Sequence, residues 1–168
     1  MKATLTVNGN SIDIELNAEQ YEKLFPEKKK KTGYEKVSAT SYWHIDSDGV
    51  VIGEADYSTH SSRCRYKFAN YFSDKTVAED MARAQKLWNC IHRRAVELCE
   101  PVDTTEYCRC YMIEYHTRAK IIEVSVSYSC RGFGTIWFDT REHCQQVIDE
   151  FYDELKWYFT EFRDRADM

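Results

Sequence analysis

Two stretches of this chain match each other without gaps at a distance of 66 residues, and this repeat constrains the fold most strongly. Residues 64–73 and residues 130–139 both begin with Cys-Arg and both end with Phe and a polar residue suited to capping a helix. Apolar residues at helical spacing follow each stretch. Each copy is therefore predicted to be a small antiparallel sheet that leads into a helix.

Two such units bury the apolar face of each sheet and the apolar stripe of each helix by packing together. The predicted fold class is α+β, with an N-terminal β-hairpin and short helix followed by two repeated antiparallel-sheet-plus-helix units. The alternative is that strand–cap–helix junctions converge on similar residues without duplication. The aromatic content, 12 Tyr, 8 Phe and 4 Trp against only 6 Gly, suits a packed core. The predicted boundaries are 1–26, a linker over 27–40, unit one over 41–101 and unit two over 102–168.

The N-terminal residues predict a separate hairpin. Residues 2–7 and 11–16 alternate polar and apolar side chains around Asn8-Gly9, a pair that favours a type I′ turn. Asn17 is expected to cap a short helix over residues 18–25, which Pro26 ends. The four lysines of residues 28–31 favour a solvated linker over a phosphate-contacting patch or a localisation signal.

Further strands and two long helices are expected in the repeated units. Asp46 to Gly49 predicts a hairpin turn, since the distal ligands of a calcium loop are missing. Ser73 and Asp139 are the expected caps of the long helices. The remaining predictions are a loop over 54–63, strands over 66–72, 107–115, 120–128 and 133–138, and an end of the first long helix at Pro101.

Charge and cysteine content exclude several classes of function. The net charge is −5, and residues 139–168 alone hold 9 acidic against 4 basic residues, which disfavours a general nucleic-acid binder. No apolar leader or membrane-length apolar segment is visible, so a cytoplasmic protein with no membrane partner is expected. The seven cysteines form no CxxC pair, so free thiols are expected, with no metal and no cofactor.

Residues 131–138 resemble the octapeptide of RNA-recognition motifs at seven of eight positions. Thr135 stands where an aromatic residue normally stacks on a base. Packing of Phe133 and Ile136 between sheet and helix explains the same pattern. Binding of single-stranded RNA or DNA is therefore the alternative hypothesis, with these candidate contacts: Arg65, Tyr71, Arg131, Phe133 and Trp137.

The last predicted helix carries an acidic face that can contact a basic partner. A solubilising surface is the plainer explanation for the same residues. Catalysis is not expected, because the sequence has no nucleophile elbow, no glycine-rich phosphate loop and no HExxH motif. The candidate partner contacts on this face are Asp149, Glu150, Asp153, Glu154 and Trp157.

Four segments, 65–75, 82–88, 133–140 and 153–162, together with the N-terminal hairpin, resemble a family of small phage and prophage proteins of gut Firmicutes. The resemblance spans nearly the whole chain but carries no catalytic residue to transfer. It implies an intracellular protein made during infection or lysogeny. Such accessory proteins often inhibit host machinery, including CRISPR effectors. The leading hypothesis is therefore a non-enzymatic phage protein that binds a host protein or protein–nucleic-acid complex, in the manner of an anti-CRISPR protein.

Overall fold

The computed structural model describes residues 2–7, 10–17, 20, 23, 32–37, 40–100, 109–128 and 135–162. The chain divides into two compact units, Met1–Thr32 and Gly33–Met168. The fold is α+β, as predicted. Its strands are β1 (Lys2–Val7), β2 (Asn10–Glu15), β3 (Ser41–Ile45), β4 (Val51–Ala55), β5 (Arg109–His116) and β6 (Ile121–Tyr128). Its helices are α1 (His60–Lys67), α2 (Lys75–Leu98), α3 (Arg141–Glu150) and α4 (Tyr152–Trp157), with a π-helical segment over Tyr158–Phe162.

The first unit contains the predicted N-terminal hairpin. Strands β1 and β2 pair antiparallel, from Lys2 opposite Glu15 to Val7 opposite Asn10. Asn17 accepts a hydrogen bond from the Gln20 N–H at 2.8 Å, and the Gln20 side chain accepts from the Asn17 N–H at 3.1 Å. This reciprocal pair is a capping box, which supports Asn17 as the expected cap. Most of the helix expected over 18–25, and half of the linker expected over 27–40, lie outside the described residues.

The second unit begins with the hairpin of β3 and β4. These strands pair antiparallel from Ser41 opposite Ala55 to Ile45 opposite Val51. One Asp46 carboxylate oxygen accepts from the backbone N–H groups of Asp48 and Val50 at 2.9 and 2.8 Å. Gly49 has a φ of +79°, which completes the turn. The sequence prediction of a hairpin turn here is confirmed.

The predicted strand over 66–72 is wrong, because residues 60–67 form helix α1. Thr59 caps this helix, and its hydroxyl accepts from the Ser62 N–H at 3.2 Å. The expected loop over 54–63 therefore ends at this cap. Only Phe72 pairs as a strand residue, in an antiparallel bridge with Trp43. The aromatic residues that suggested a strand lie partly on the helix and partly after it.

Helix α2 begins one residue later than predicted. Asp74 is the cap, with its carboxylate accepting from the Thr76 and Val77 N–H groups. The Ser73 hydroxyl instead donates to Glu35 at 2.7 Å. The helix ends at Leu98, ahead of Pro101, as the sequence predicts.

The hairpin of β5 and β6 confirms the strands predicted over 107–115 and 120–128 within the residues that the structure describes. The strand expected over 133–138 is reduced to one antiparallel bridge between Phe138 and Tyr111. Residues 135–137 have no strand structure, and residues 133 and 134 lie outside the described part of the chain. Thr140, rather than Asp139, caps helix α3 through a hydrogen bond from the His143 N–H at 3.1 Å.

The hairpin of β3 and β4 (the first hairpin) and the hairpin of β5 and β6 (the second hairpin) are each bridged by a phenylalanine that shortly precedes a helix. Phe72 bridges the first strand of one hairpin and Phe138 the first strand of the other, and each lies two residues before its helix cap. Ala78 and Cys144, which the 66-residue offset also equates, are both fully buried. Helix α2 starts beside the first hairpin, with the Lys75 ammonium 5.4 Å from the Trp43 ring centre. Duplication of one ancestral unit stays a prediction.

The main core lies between the second half of α2, the second hairpin and the last helices. Tyr111 and Phe151 border it. None of the helices in the described ranges is long and apolar enough to cross a membrane. The core residues are Leu87, Ile91, Ala95, Val124, Phe138, Cys144, Val147, Ile148 and Leu155.

Candidate functional site

A partly open apolar groove of about 380 Å³ lies between α2, β5 and the C-terminal helices. Helix α2 supplies one wall, because its apolar residues recur at helical spacing on the side that faces the second hairpin. The groove is lined by Met81, Ala84, Leu87, Trp88, Ile91, Met112, Ile113, Thr135, Ile136, Leu155, Tyr158, Phe159 and Phe162. None of these described lining residues carries a carboxylate, an imidazole or an amine.

The aromatic residues of the groove stack on one another. Tyr158 contacts Phe159 edge to face with ring centres 5.4 Å apart, and it stacks on Phe162 at 5.2 Å. Phe159 in turn stacks on Tyr115 of β5 at 5.3 Å. Trp88 on the opposite wall stacks on His92 and is 45% exposed. This arrangement holds one wall rigid and leaves an aromatic side chain accessible beside the groove.

The charges beside the groove are predominantly acidic. Asp80, Glu154 and Glu161 all raise the pKa of Arg83, with the hydrogen bond from Arg83 to Glu154 as the largest cause. Each of these acidic residues directly precedes a lining residue in the chain. Lys86 adds a second positive charge near Glu154. Among the described charges that act on Arg83 and Glu154, three carboxylates stand against two cations, a net charge of −1.

The predicted acidic face is partly used within the molecule. Arg83 holds Glu154 through two bonds of 2.7 and 3.0 Å, and Arg94 holds Glu150 at 3.0 Å. Asp149 accepts from Gln145 at 2.9 Å, whereas Asp153 is exposed.

Trp157, a candidate partner contact on this face, is buried. Its side chain is only 8% exposed and lies under the Arg83 guanidinium, 4.0 Å from the ring centre. Tyr152, on the same helix, is the exposed aromatic residue. The pairing of α2 with α4 through Arg83 therefore covers the indole that was expected to face a partner.

Two of the candidate nucleic-acid contacts are also engaged internally. Tyr71 is buried and stacks on Tyr42 with ring centres 4.2 Å apart, so its ring is not available to a base. The Arg65 guanidinium donates to the Tyr42 hydroxyl at 2.6 Å and forms an ion pair with Glu54. Trp137 is half-buried, and Arg131 and Phe133 lie outside the described residues. The prediction of Tyr71 as a stacking residue is therefore wrong.

A thiol–carboxylate–imidazole cluster, formed by Cys99, Asp139 and His143, joins the end of α2 to the start of α3. One donor atom from each residue lies within 4.8 Å of the others, and all three residues are half-buried. His143 Nδ1 lies 2.7 Å from one Asp139 oxygen, and the Glu100 N–H donates to the other at 3.1 Å. Sequence patterns do not indicate this cluster, because Cys99 lies far from Asp139 in the chain. The four-residue spacing of Asp139 and His143 was the only signal available.

The electrostatics of this cluster favour an ionised carboxylate beside a neutral thiol. Burial opposes ionisation of Asp139, but hydrogen bonds from His143, the Glu100 N–H and Cys99 outweigh it and hold its pKa at about 2. Burial raises the pKa of Cys99, and it raises that of Cys144 to about 12. Both thiols therefore remain protonated near neutral pH, which disfavours a nucleophilic role.

No protein-family model, curated protein sequence or solved structure matches this chain. The apolar groove and the thiol–carboxylate–imidazole cluster are therefore the features from which a function is inferred. The groove suits binding of an apolar segment, and the cluster suits coordination of a metal ion.

Proposed function

We propose that this protein is a non-enzymatic binding protein that accepts an amphipathic, basic segment of a partner protein in its apolar groove. The single observation that carries the proposal is the groove itself, walled by helix α2 and by the stacked aromatic residues of the C-terminal helices. Grooves between helices accept the apolar face of a partner helix through side chains at helical spacing. The volume of about 380 Å³ accommodates a few such side chains.

The charge of the partner segment follows from the acidic surroundings. Asp80, Glu154 and Glu161 lie beside residues that line the groove, and the exposed Asp153 adds a further carboxylate on α4. A segment with Lys or Arg flanking its apolar residues is therefore complementary in charge. This retains the idea of an acidic C-terminal contact, with the groove rather than Trp157 as the apolar anchor site.

The proposal of a non-enzymatic role rests on the chemistry of the groove lining. Acid–base catalysis needs a titratable group within hydrogen-bond reach of the substrate. The described lining residues offer only weakly polar groups, chiefly the hydroxyls of Thr135 and Tyr158. Such a surface suits recognition of a partner rather than conversion of a substrate.

The cellular setting is proposed from the resemblance to small phage and prophage proteins. In that setting the protein acts in the cytoplasm of the infected bacterium on a host protein or a ribonucleoprotein. A defence complex, as for an anti-CRISPR protein, is the specific partner class that we propose.

Trp88 provides a direct test of the groove, because it lines the groove and is 45% exposed. Fluorescence anisotropy would measure binding of labelled helical peptides with one apolar face and either Lys or Glu on the other face. We expect the basic peptide to bind, and Trp88→Ala to weaken its affinity about ten-fold or more.

Tyr152→Ala is the matched control, because Tyr152 is also 45% exposed and does not line the groove. It should change the affinity by less than about two-fold. Equal losses in both variants, or equal binding of the acidic peptide, would contradict the proposal.

The phage setting has its own test. Production of the protein in a bacterium with an active CRISPR system should restore plating of a targeted phage. The Trp88→Ala variant should restore plating less well than Tyr152→Ala at equal protein levels. Unchanged plating with the unaltered protein would remove the anti-CRISPR role and leave the peptide-binding result standing.

A further inference from the structure

We infer that the cluster of Cys99, Asp139 and His143 is a binding site for a zinc-class transition metal ion. The cluster offers one sulfur, one oxygen and one nitrogen donor, all within 4.8 Å of one another. Zinc binds these three donor types in tetrahedral geometry, whereas Mg²⁺ and Ca²⁺ prefer oxygen donors. The thiol and the imidazole therefore select for a softer ion.

The spacing of His143 and Asp139 requires only a small adjustment to receive the ion, and the Cys99 sulfur lies within 4.8 Å of both donors. Bond lengths to zinc of about 2.0 to 2.3 Å place neighbouring tetrahedral ligand atoms about 3.3 to 3.7 Å apart. His143 Nδ1 and the nearer Asp139 oxygen are 2.7 Å apart, so this pair opens by roughly half an ångström. On metal binding the hydrogen bond between these two groups breaks: the imidazole coordinates through Nδ1 with its proton on Nε2, and the Cys99 thiol releases its proton to solvent.

The surrounding backbone holds all three donors in place. Cys99 is the C-cap of α2, and its N–H donates to the Ala95 carbonyl at 2.9 Å. His143 lies in the first turn of α3, where its N–H donates to the Thr140 hydroxyl at 3.1 Å. The Glu100 N–H donates at 3.1 Å to the Asp139 oxygen that does not contact His143, which leaves the other oxygen for the ion. Such supporting hydrogen bonds orient metal ligands and strengthen binding.

A bound ion would tie the end of α2 to the start of α3. Among the described residues the cluster supplies three ligands, so water or a further donor completes the coordination sphere. Because the ion binds the folded chain and not the unfolded chain, it raises the free energy of unfolding in proportion to the logarithm of the metal concentration. The site is independent of the groove, and its failure would leave the proposed function unaffected.

Titration of the full-length, reduced protein with Co²⁺ tests the site, because a coordinated thiolate gives a ligand-to-metal charge-transfer band. We expect one equivalent of Co²⁺ to produce this band, and Zn²⁺ to abolish it by displacement. Cys99→Ser should remove the band, and His143→Ala should weaken binding roughly ten-fold or more. Absence of the band from the unaltered protein would overturn the inference.

The pair His60 and Cys64 provides the matched control. They lie four positions apart on α1, as Asp139 and His143 do at the start of α3, with Sγ and Nε2 separated by 3.4 Å. Within the described ranges no third potential ligand lies beside them. The double variant His60→Ala, Cys64→Ser should bind Co²⁺ as tightly as the unaltered protein. A band that survives Cys99→Ser, or that disappears in this double variant, would contradict the assignment.

Circular dichroism shows whether Cys99→Ser remains folded. X-ray absorption of the zinc-loaded, unaltered protein provides a measurement that needs no variant. We expect at least one sulfur at about 2.3 Å together with nitrogen or oxygen ligands. A shell without sulfur would also overturn the inference.

Discussion

The buried side chains of Tyr71 and Asp56 are hydrogen-bonded to each other. The Tyr71 hydroxyl donates to one Asp56 oxygen at 2.8 Å and accepts from the Val37 N–H at 3.1 Å. The other Asp56 oxygen accepts from the Ser58 N–H at 2.7 Å. Burial, followed by the hydrogen bond to Asp56, raises the pKa of Tyr71 to about 12. A residue expected to stack on a base is instead part of a buried hydrogen-bond network.

This network predicts a loss of stability in acid. The Ser58 N–H, followed by the Tyr71 hydroxyl, lowers the pKa of Asp56 below its ordinary value. The stabilisation is therefore complete above the unfolded-state value of about 3.9 and disappears as the pH falls through the lower folded-state value. We expect Asp56→Asn to lower the urea midpoint at neutral pH, and its difference from the unaltered protein to narrow as the pH falls below the ordinary carboxyl pKa of about 3.9.

Asp48→Asn is the control for this measurement, because Asp48 is exposed in the turn between β3 and β4. Its urea midpoint should follow that of the unaltered protein at every pH. A difference for Asp56→Asn that stays constant across the acid range would show that the carboxylate charge has no role.

Gly33 lies where the loop before β3 packs against helix α2. Its φ is +83°, and a Cβ at this position would lie 2.6 Å from Val77 Cγ2. The Gly33 carbonyl accepts from the Ser73 N–H at 2.7 Å, next to the cap of α2. Glycine is needed here because both the backbone angle and the close approach to α2 exclude a side chain.

A comparison of two glycines separates these effects. Gly49 also has a positive φ, but a Cβ there would meet no atom within 4 Å. Gly49→Ala should cost about 1 to 2 kcal/mol of unfolding free energy, from backbone strain alone. Gly33→Ala should cost more, and Val77→Ala in the same chain should recover part of the loss. Equal effects of the two glycine substitutions in urea unfolding would contradict the contact with Val77.

Helix α2 links the hairpin of β3 and β4 to the core that includes the hairpin of β5 and β6. Helix α2 starts shortly after Phe72, which bridges to the first hairpin. The second half of α2 packs in the core that contains Phe138. Arg83 and Arg94 add ion pairs from α2 to the last helices. These exposed or half-exposed pairs contribute little each, so burial of apolar side chains, including Phe72 and Phe138, contributes most of the stability.

Phe72 and Phe138 occupy equivalent positions, so we expect their substitutions to cause similar losses of unfolding free energy. Phe72→Ala and Phe138→Ala should each lower the unfolding free energy by about 3 to 5 kcal/mol, because both side chains are fully buried. Phe68→Ala should change it by less than about 0.5 kcal/mol, because Phe68 is 83% exposed. Urea unfolding followed by circular dichroism measures all three, and a large loss for Phe68 alone would contradict this assignment of the core.

Local signals predicted much of the fold but little of the candidate sites. Strand alternation, turn residues and the periodicity of α2 depend on neighbours in the chain, so the three hairpins were predicted correctly. The spacing of Tyr66, Phe68, Tyr71 and Phe72 favoured a strand, whereas the Thr59 cap begins a helix that ends at Lys67. The groove was not predicted, because its walls come from separate parts of the chain.

The sequence by itself determined the order of the hairpins and of the main helices, since these depend on contacts over a few residues. Only the tertiary structure decided that Trp157 is covered by Arg83, that Tyr71 is buried, and that Cys99 meets Asp139 and His143. The physical reason is that exposure and donor clustering depend on which distant surfaces pack together. Periodicity shows that a residue has an apolar or polar character but does not identify its partner.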